Sequence, residues 1–407
     1  MNKEIQPRIA IVGGGLSGLT AAYFLKEEGI EAIVYEKSSE AGGKLARVIV
    51  DGVPIDTGAL LYSKELNPNF DVLISELGIE CERRYLNTFA LQIGNKITAL
   101  NPLALAKSRL FSFGEFLKWR KVKKFINSLS FDLDKVDERI DKLHQISLEK
   151  YLRDVGFRQE LIDSFFRAFC SFAYVDGAKD LAADFGLFLL AFPLKTIMAP
   201  AKGMSEVALE LKRRLGDSIK LNTRVVNISQ NPDKTFAIKI EKDGQISEET
   251  FDYCILTTGG RNFKNIFPEV GFEIAVTRAR GVVLESDCPT YKKYNVLIIS
   301  KYKNEHGVQG GKIKHLPDGR SFYGMMLYQP DADLERVFGK HKVHRRFGWS
   351  PAMAWMSPGC RIPDVKTNVS NCFVIGDFDR YPGVEPCVFT AQKAVNIIKS
   401  NQSLLSR

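Results

Sequence analysis

Ile9-Ala10-Ile11-Val12-Gly13-Gly14-Gly15-Leu16-Ser17-Gly18-Leu19-Thr20 is the stretch on which the fold turns. Four consecutive apolar residues predict a strand, and the glycines after them predict a turn into the amphipathic run Leu16 to Glu28. Gly29 stops that helix and Ala32 to Tyr35 supplies a second strand, so a βαβ unit opens the chain. Gly13, Gly15 and Gly18 stand as GxGxxG between strand and helix. The first allows the tight turn, the second lets backbone approach a pyrophosphate, and the third lets helix and strand pack closely. Leu16 and Ser17 open the helix, whose N-terminal N–H groups are available to phosphate. Glu36 lies 18 residues beyond Gly18 at the end of the second strand. Its carboxylate is placed to accept hydrogen bonds from the ribose hydroxyls of an adenosine and to repel a 2′-phosphate, which argues against NADP. A dinucleotide is the expected ligand, with FAD and NAD both open on these residues alone.

Working outward, residues 67 to 199 read as mostly helical, with Phe116, Trp119, Val122, Ile126 and Leu129 on one face and Leu152, Phe157, Leu161 and Phe165 on another. A helix from Ser205 to Leu215 leads back to strand-rich sequence: Ile219 to Leu221, Val225 to Ile228, Phe236 to Ile240 and Tyr253 to Thr257. Further strands are expected between Val276 and Leu327. The end of the chain reads as a strand at Cys372 to Ile375, then Gly376-Asp377, then a closing helix from about Val388 to Ser400. The fold class is therefore α/β in two parts: a Rossmann-like dinucleotide domain (1–66, 200–265 and 360–407) and an inserted substrate domain of mixed sheet and helices (67–199 and 266–359).

Composition sets the outer limits. The chain has 407 residues, 45% hydrophobic and 26% charged, as expected of an ordered globular protein. Its longest apolar run, Phe185 to Leu194, is ten residues against the roughly 20 that span a bilayer. The short charged lead with Lys3, Glu4 and Arg8 does not resemble a secretory signal, so a cytoplasmic location is expected. Seven scattered cysteines without a CxxC pair read as reduced thiols, and no metal ligand set is predicted. Net charge is +9, but no zinc-finger or RNA-recognition spacing accompanies it, so no nucleic-acid partner is expected.

The order Glu36-Lys37, Gly42-Gly43-Lys44, Arg47, then Asp56-Thr57-Gly58-Ala59-Leu60 resembles the flavin amine oxidase superfamily, which includes protoporphyrinogen oxidases and phytoene desaturases. The resemblance extends through Gly203-Met204-Ser205, the strand around Val225, Thr257-Thr258-Gly259 and Val374-Ile375-Gly376-Asp377. It implies FAD. Gly42, Gly43 and Lys44 would lie along pyrophosphate and flavin, and Gly58, Ala59 and Leu60 would pass beside the isoalloxazine. Val225 and Thr258 would touch the adenosine side, Gly376 and Asp377 the ribitol or pyrophosphate, and Val384 the pyrimidine edge. Where the family has Glu-Gly-Ala entering the last helix, this chain has Glu385-Pro386-Cys387, and a proline has no N–H to offer the flavin. Cys387 reads as a buried thiol, so the expected FAD is non-covalent.

No second GxGxxG follows, and Gly310-Gly311 lacks the strand and helix around it, so a separate NAD(P)H domain is not expected. The resemblance implies hydride abstraction from a small hydrophobic substrate, with electrons passed to oxygen, a quinone or another acceptor. An amine oxidase is the alternative, a redox-neutral flavoenzyme a third reading, and a binding module that has lost FAD, like the prenyl-GTPase dissociation inhibitors, a fourth. The five histidines form no catalytic spacing and read as structural or surface residues. Catalytic side chains are not assigned, and Trp349 and Trp355 are cavity-lining candidates. The basic helix from Phe113 to Leu129 has two readings, an ordinary domain helix with a solvated face or a helix that lies on an anionic membrane.

Overall fold

Every residue of the strand Ile9–Val12 is buried, and alternate side chains enter different cores. Ile9 and Ile11 pack under the helices Leu16–Glu27, Ser205–Leu215 and Val384–Leu405, while Ala10 and Val12 face a second core with Val225, Ile228, Phe236 and Phe251. A strand covered on both faces belongs at the centre of a parallel sheet. It is the third of five, in the order Ile219–Lys220, Ala32–Tyr35, Ile9–Val12, Tyr253–Leu256, Cys372–Val374, all parallel. The computed structural model describes residues 6–135, 137–174, 180–257 and 261–405. An antiparallel sheet of Arg224–Gln230, Phe236–Lys242 and Gln245–Phe251 covers the face opposite the helices. From the central strand the chain leaves to one side towards Ala32–Tyr35, and the neighbouring Tyr253–Leu256 continues to the other. Their C-terminal ends therefore flank the crevice where ligands of such sheets sit.

A seven-stranded sheet builds the other half, in the order His341–Trp349, Ala279–Ser286, Ser321–Leu327, Val308–His315, Val296–Ile299, Phe89–Ile93, Lys96–Ala99. Only the pairing of Val296–Ile299 with Phe89–Ile93 is parallel. Val296, Ile298, Phe89 and Leu91 face a helical layer, and Leu297, Ile299 and Ala90 face a second core with Tyr291, Tyr323 and Phe338. At the centre of the helical layer is Ala183–Ala191, buried on every side, which is what its continuous apolar sequence requires.

The stretch from 67 to 199 is less helical than its periodicity implies, since it also holds the strands Cys81–Arg84, Phe89–Ile93, Lys96–Ala99 and Ile197–Pro200. They are short; Cys81–Arg84 and Ile197–Pro200 pair across the intervening helices, and Phe89–Ile93 joins a distant strand on one side and the hairpin partner Lys96–Ala99 on the other. On the helix Phe113–Ser128, Val122 and Ile126 are buried and Trp119 packs against Phe166, but Phe116 is 41% exposed. The closing helix starts at Val384, earlier than Val388, with Glu385 and Pro386 in its first turn, where a proline costs no hydrogen bond. No helix among the described residues is long and apolar enough to cross a membrane.

Candidate functional site

At the crevice, Gly13 adopts φ 111° and donates its N–H to the Tyr35 carbonyl at 2.9 Å, turning the chain at once from strand to helix. A Cβ built on Gly18 would stand 2.1 Å from the Gly13 carbonyl oxygen, so only glycine permits this packing. Gly15 is the opposite case. A Cβ there meets nothing within 4 Å, and no side chain caps the helix N-terminus behind it. The protein leaves open the space that a phosphate would use, in front of a positive helix end. Leu16 and Ser17 are buried in the first turn.

Glu36 is fixed beside this opening, its two carboxylate oxygens accepting the Gly14 and Ser38 N–H groups at 2.8 Å each. An ionised carboxylate has further lone pairs, so ribose hydroxyls can still be received. Its backbone carbonyl accepts the Thr223 N–H at 2.9 Å, which brings the start of the strand carrying buried Val225 to the same edge. Lys37 is exposed at the rim. Thr258 lies outside the described residues. Its neighbour Thr257 donates its hydroxyl towards the Val12 and Gly13 carbonyls, at 3.0 and 2.9 Å.

The second glycine pair joins the first directly. Gly42 donates its N–H to the Gly14 carbonyl at 2.7 Å and bridges to Gly15, and Gly43 follows with φ 52°. Lys44 then extends its ammonium to Asp377, 2.5 Å away, and to the Ala352 carbonyl at 2.8 Å. Two residues 333 positions apart thus meet as one ion pair. Gly58 must be glycine, because a Cβ would fall 1.7 Å from the Lys44 carbonyl oxygen, and Ala59 donates to that same oxygen at 3.3 Å. Gly376 is held by the Thr390 hydroxyl at 3.1 Å, and Val384 and Cys387 pack in one core with Leu16. Burial pushes the Cys387 thiol up to about 12, which disfavours its thiolate.

Several buried polar groups were given no role of their own by sequence reasoning. Glu385 is buried and accepts the Asn69 and Phe70 N–H groups at 3.0 Å and the Asn69 side-chain amide at 2.6 Å, fixing the last helix to the helix Pro68–Glu76. Burial raises its pKa in spite of those donors. Asp56 accepts the Met204 and Ser205 N–H groups at 3.2 and 3.4 Å and pairs with Lys312 at 3.2 Å. His144, expected as a structural or surface residue, is buried. Its Nδ1 lies 2.9 Å from Asp184, and its Nε2 is 2.8 Å from the Cys360 carbonyl. The Asp184 bond, and then Cys360, raise its pKa to about 10. Arg380 approaches Asp184 at 3.8 Å and pairs with Asp141 at 2.8 Å, so this network ties the helical layer to the segment after Asp377. An acid before a helix-opening proline was the one visible signal for Glu385. None marks the others.

A cavity of about 240 Å³ adjoins the Asp56 to Leu61 segment, between it and the seven-stranded sheet. Leu60, Leu61, Phe89, Val296 and Ile313 form its apolar wall. Trp349 directs its indole N–H to the Thr57 carbonyl at 3.4 Å, so it reaches the Asp56 to Ala59 run, while Trp355 packs against the helical core.

Residues 16–282, well over half of the chain, match the family described as flavin containing amine oxidoreductase. The chain belongs to that family. FAD is its cofactor and oxidoreduction its class of chemistry, and the open phosphate cradle, the Glu36 carboxylate and the Lys44–Asp377 pair fit that cofactor. Among curated proteins, a mitochondrial protoporphyrinogen oxidase of Nicotiana tabacum is 36% identical over 116 residues, covering 27% of this chain and 23% of the relative. A 15-cis-phytoene desaturase of Capsicum annuum is 24% identical over 373 residues, covering 86% and 61%. In neither case does the match reach two thirds of the relative's length. Cyclohexylamine oxidase from Brevibacterium oxydans shares the fold, with a TM-score of 0.70 at 14% identity over 98% of this chain and 100% of that one.

Proposed function

We propose that the chain removes a hydride from a hydrophobic organic substrate, in the manner of the protoporphyrinogen oxidases and phytoene desaturases it is similar to, and passes the electrons to oxygen, a quinone or another acceptor. The cavity beside Asp56 to Leu61 carries this reading. One side of it is apolar, and Asp56, the only carboxylate among its described lining residues, is already committed to two backbone N–H groups and to Lys312. An amine substrate enters as an ammonium, and this cavity offers it lysines instead of a free acid. That observation favours the hydrophobic substrate over the amine.

When bound, FAD supplies the hydride acceptor. The chain would position and shield it: Gly13 to Gly18 and Gly42 to Lys44 would hold the phosphates, Glu36 the ribose, and Lys44 with Asp377 the region next to the ring. Leu60 and Leu61, which line the cavity, would keep water from the substrate side. Peripheral contact with an anionic membrane belongs to the same proposal. Leu103, Phe113, Phe116 and Leu117 are exposed at 66, 80, 41 and 41%, beside exposed Lys107, Arg109, Arg120, Lys121 and Lys124. The test is anaerobic mixing of the FAD-loaded protein with polyenes, reduced tetrapyrroles and amines while flavin absorbance is followed. Bleaching by a polyene or tetrapyrrole is expected. Bleaching by amines alone would replace this reading with the amine oxidase.

A further inference from the structure

The strand Val308–His315 places Lys312 and Lys314 two residues apart, and both line the cavity beside Asp56. Each side chain is largely withdrawn from solvent, Lys312 to 22% exposure. Lysines in such positions need counter-charge. Lys312 finds Asp56 at 3.2 Å, whereas the Lys314 ammonium is bonded to a neutral carbonyl, that of Pro54, at 3.2 Å. Asp56 has little left to give, because it also serves the first turn of the helix Ser205–Leu215 through Met204 and Ser205. Its position there is enforced, since a Cβ on Gly203 would stand 2.6 Å from its carboxylate oxygen. Burial, and next the charge of Lys312, lower the Lys314 pKa, as expected of an ammonium short of an anion.

The remaining polar groups do not correct the imbalance. Arg84 lines the same cavity, with its partner Glu82 on the 53%-exposed outer side, and Lys202 stands at the rim beside Glu206. His315 has both ring nitrogens engaged, by Ser321 at 2.9 Å and by the Tyr294 carbonyl at 2.8 Å. Two half-buried ammonium groups against one buried carboxylate leave a single positive charge next to an apolar wall. A monoanion attached to an apolar body satisfies both surfaces, and a doubly charged phosphate exceeds the charge on offer.

We propose that this cavity is a carboxylate-binding subsite with Lys312 and Lys314 as its cationic wall, and that the substrate is an apolar molecule bearing a carboxylate. The carboxylate anchors one end while the apolar body lies along Leu60 and Leu61 towards the segment beside the flavin. This inference rests on the reading of the chain as an oxidoreductase of hydrophobic substrates.

The experiment is calorimetric titration of the FAD-loaded protein with decanoate, decanol, decylamine and inorganic phosphate, with flavin absorbance read on the same samples. Decanoate is expected to bind at least about tenfold more tightly than decanol, the worth of a charge-assisted hydrogen bond. Lys314→Met should weaken decanoate about tenfold without loss of FAD, and Lys314→Arg should retain most of the binding. Equal binding of decanol or decylamine, tighter binding of phosphate, or a Lys314→Met protein that binds decanoate like the parent would overturn the subsite. The two readings fail separately. A flavin-loaded protein that ignores decanoate loses only the subsite, whereas one that holds flavin and is bleached by amines alone loses the substrate reading itself.

Discussion

The crevice of the parallel sheet is shaped mostly by backbone, and the half built on the helical layer and the seven-stranded sheet is tied together by side chains. Around Gly13 to Gly18, Gly42 to Lys44 and Gly58, the decisive contacts are main-chain N–H groups, carbonyls and the missing Cβ atoms of glycines. Across the helical layer and the seven-stranded sheet, they are charge pairs such as His144–Asp184 and Lys312–Asp56. A backbone site tolerates almost no side-chain variation at its glycines, whereas a side-chain site can be re-specified by one substitution.

The strongest break of this contrast is Gly18→Val. A Cβ 2.1 Å from the Gly13 carbonyl oxygen leaves no rotamer that fits, so the variant should lose about 3 kcal/mol or more of stability together with its FAD, as read by denaturant unfolding and flavin content. On the side-chain half, His144→Asn removes one partner of a buried pair. It should cost up to about 3 kcal/mol at pH 6, tempered because Arg380 remains near Asp184. The pH dependence follows from the raised pKa. Stabilisation by His144 is fully present below its ordinary value of 6.5 and is lost as pH rises through about 10. The gap in melting temperature between parent and variant should therefore narrow from pH 7 to pH 10, and a gap that stays constant would remove the ion pair from the account. Smallest in its effect on the fold is Gly15→Ala. With φ −76° and nothing within 4 Å of the new Cβ, the apoprotein should stay within about 0.5 kcal/mol of the parent. Its affinity for FAD should nonetheless fall about tenfold or more, because the methyl occupies the pyrophosphate approach. A variant that binds FAD normally would show that the opening at Gly15 is not the phosphate site.

This contrast also explains what was legible in the sequence. A turn that must be glycine writes itself locally, so Gly13, Gly15, Gly18 and the acid Glu36 were readable with their spacing, and a strand buried on both faces followed from Ile9 to Val12. The Lys44–Asp377 pair was reached only through resemblance, residue by residue. Lys312 and Asp56 are separated by 256 positions and His144 and Asp184 by 40, with no periodicity linking either pair. Glu385 looks like any acid at a helix start until the first turn of the helix Pro68–Glu76 is seen to donate to it. Only half of the pairing of Phe89–Ile93 is long-range, since its parallel partner is Val296–Ile299 while its antiparallel partner Lys96–Ala99 follows directly in the chain.

The most direct measurement is the visible absorbance of the purified protein before and after acid precipitation. Flavin bands near about 375 and 450 nm are predicted, with FAD released into the supernatant because the Cys387 thiolate is disfavoured and the cofactor is held by the cradle alone. A colourless protein that takes up no added FAD, or a flavin that remains in the pellet, would contradict the account.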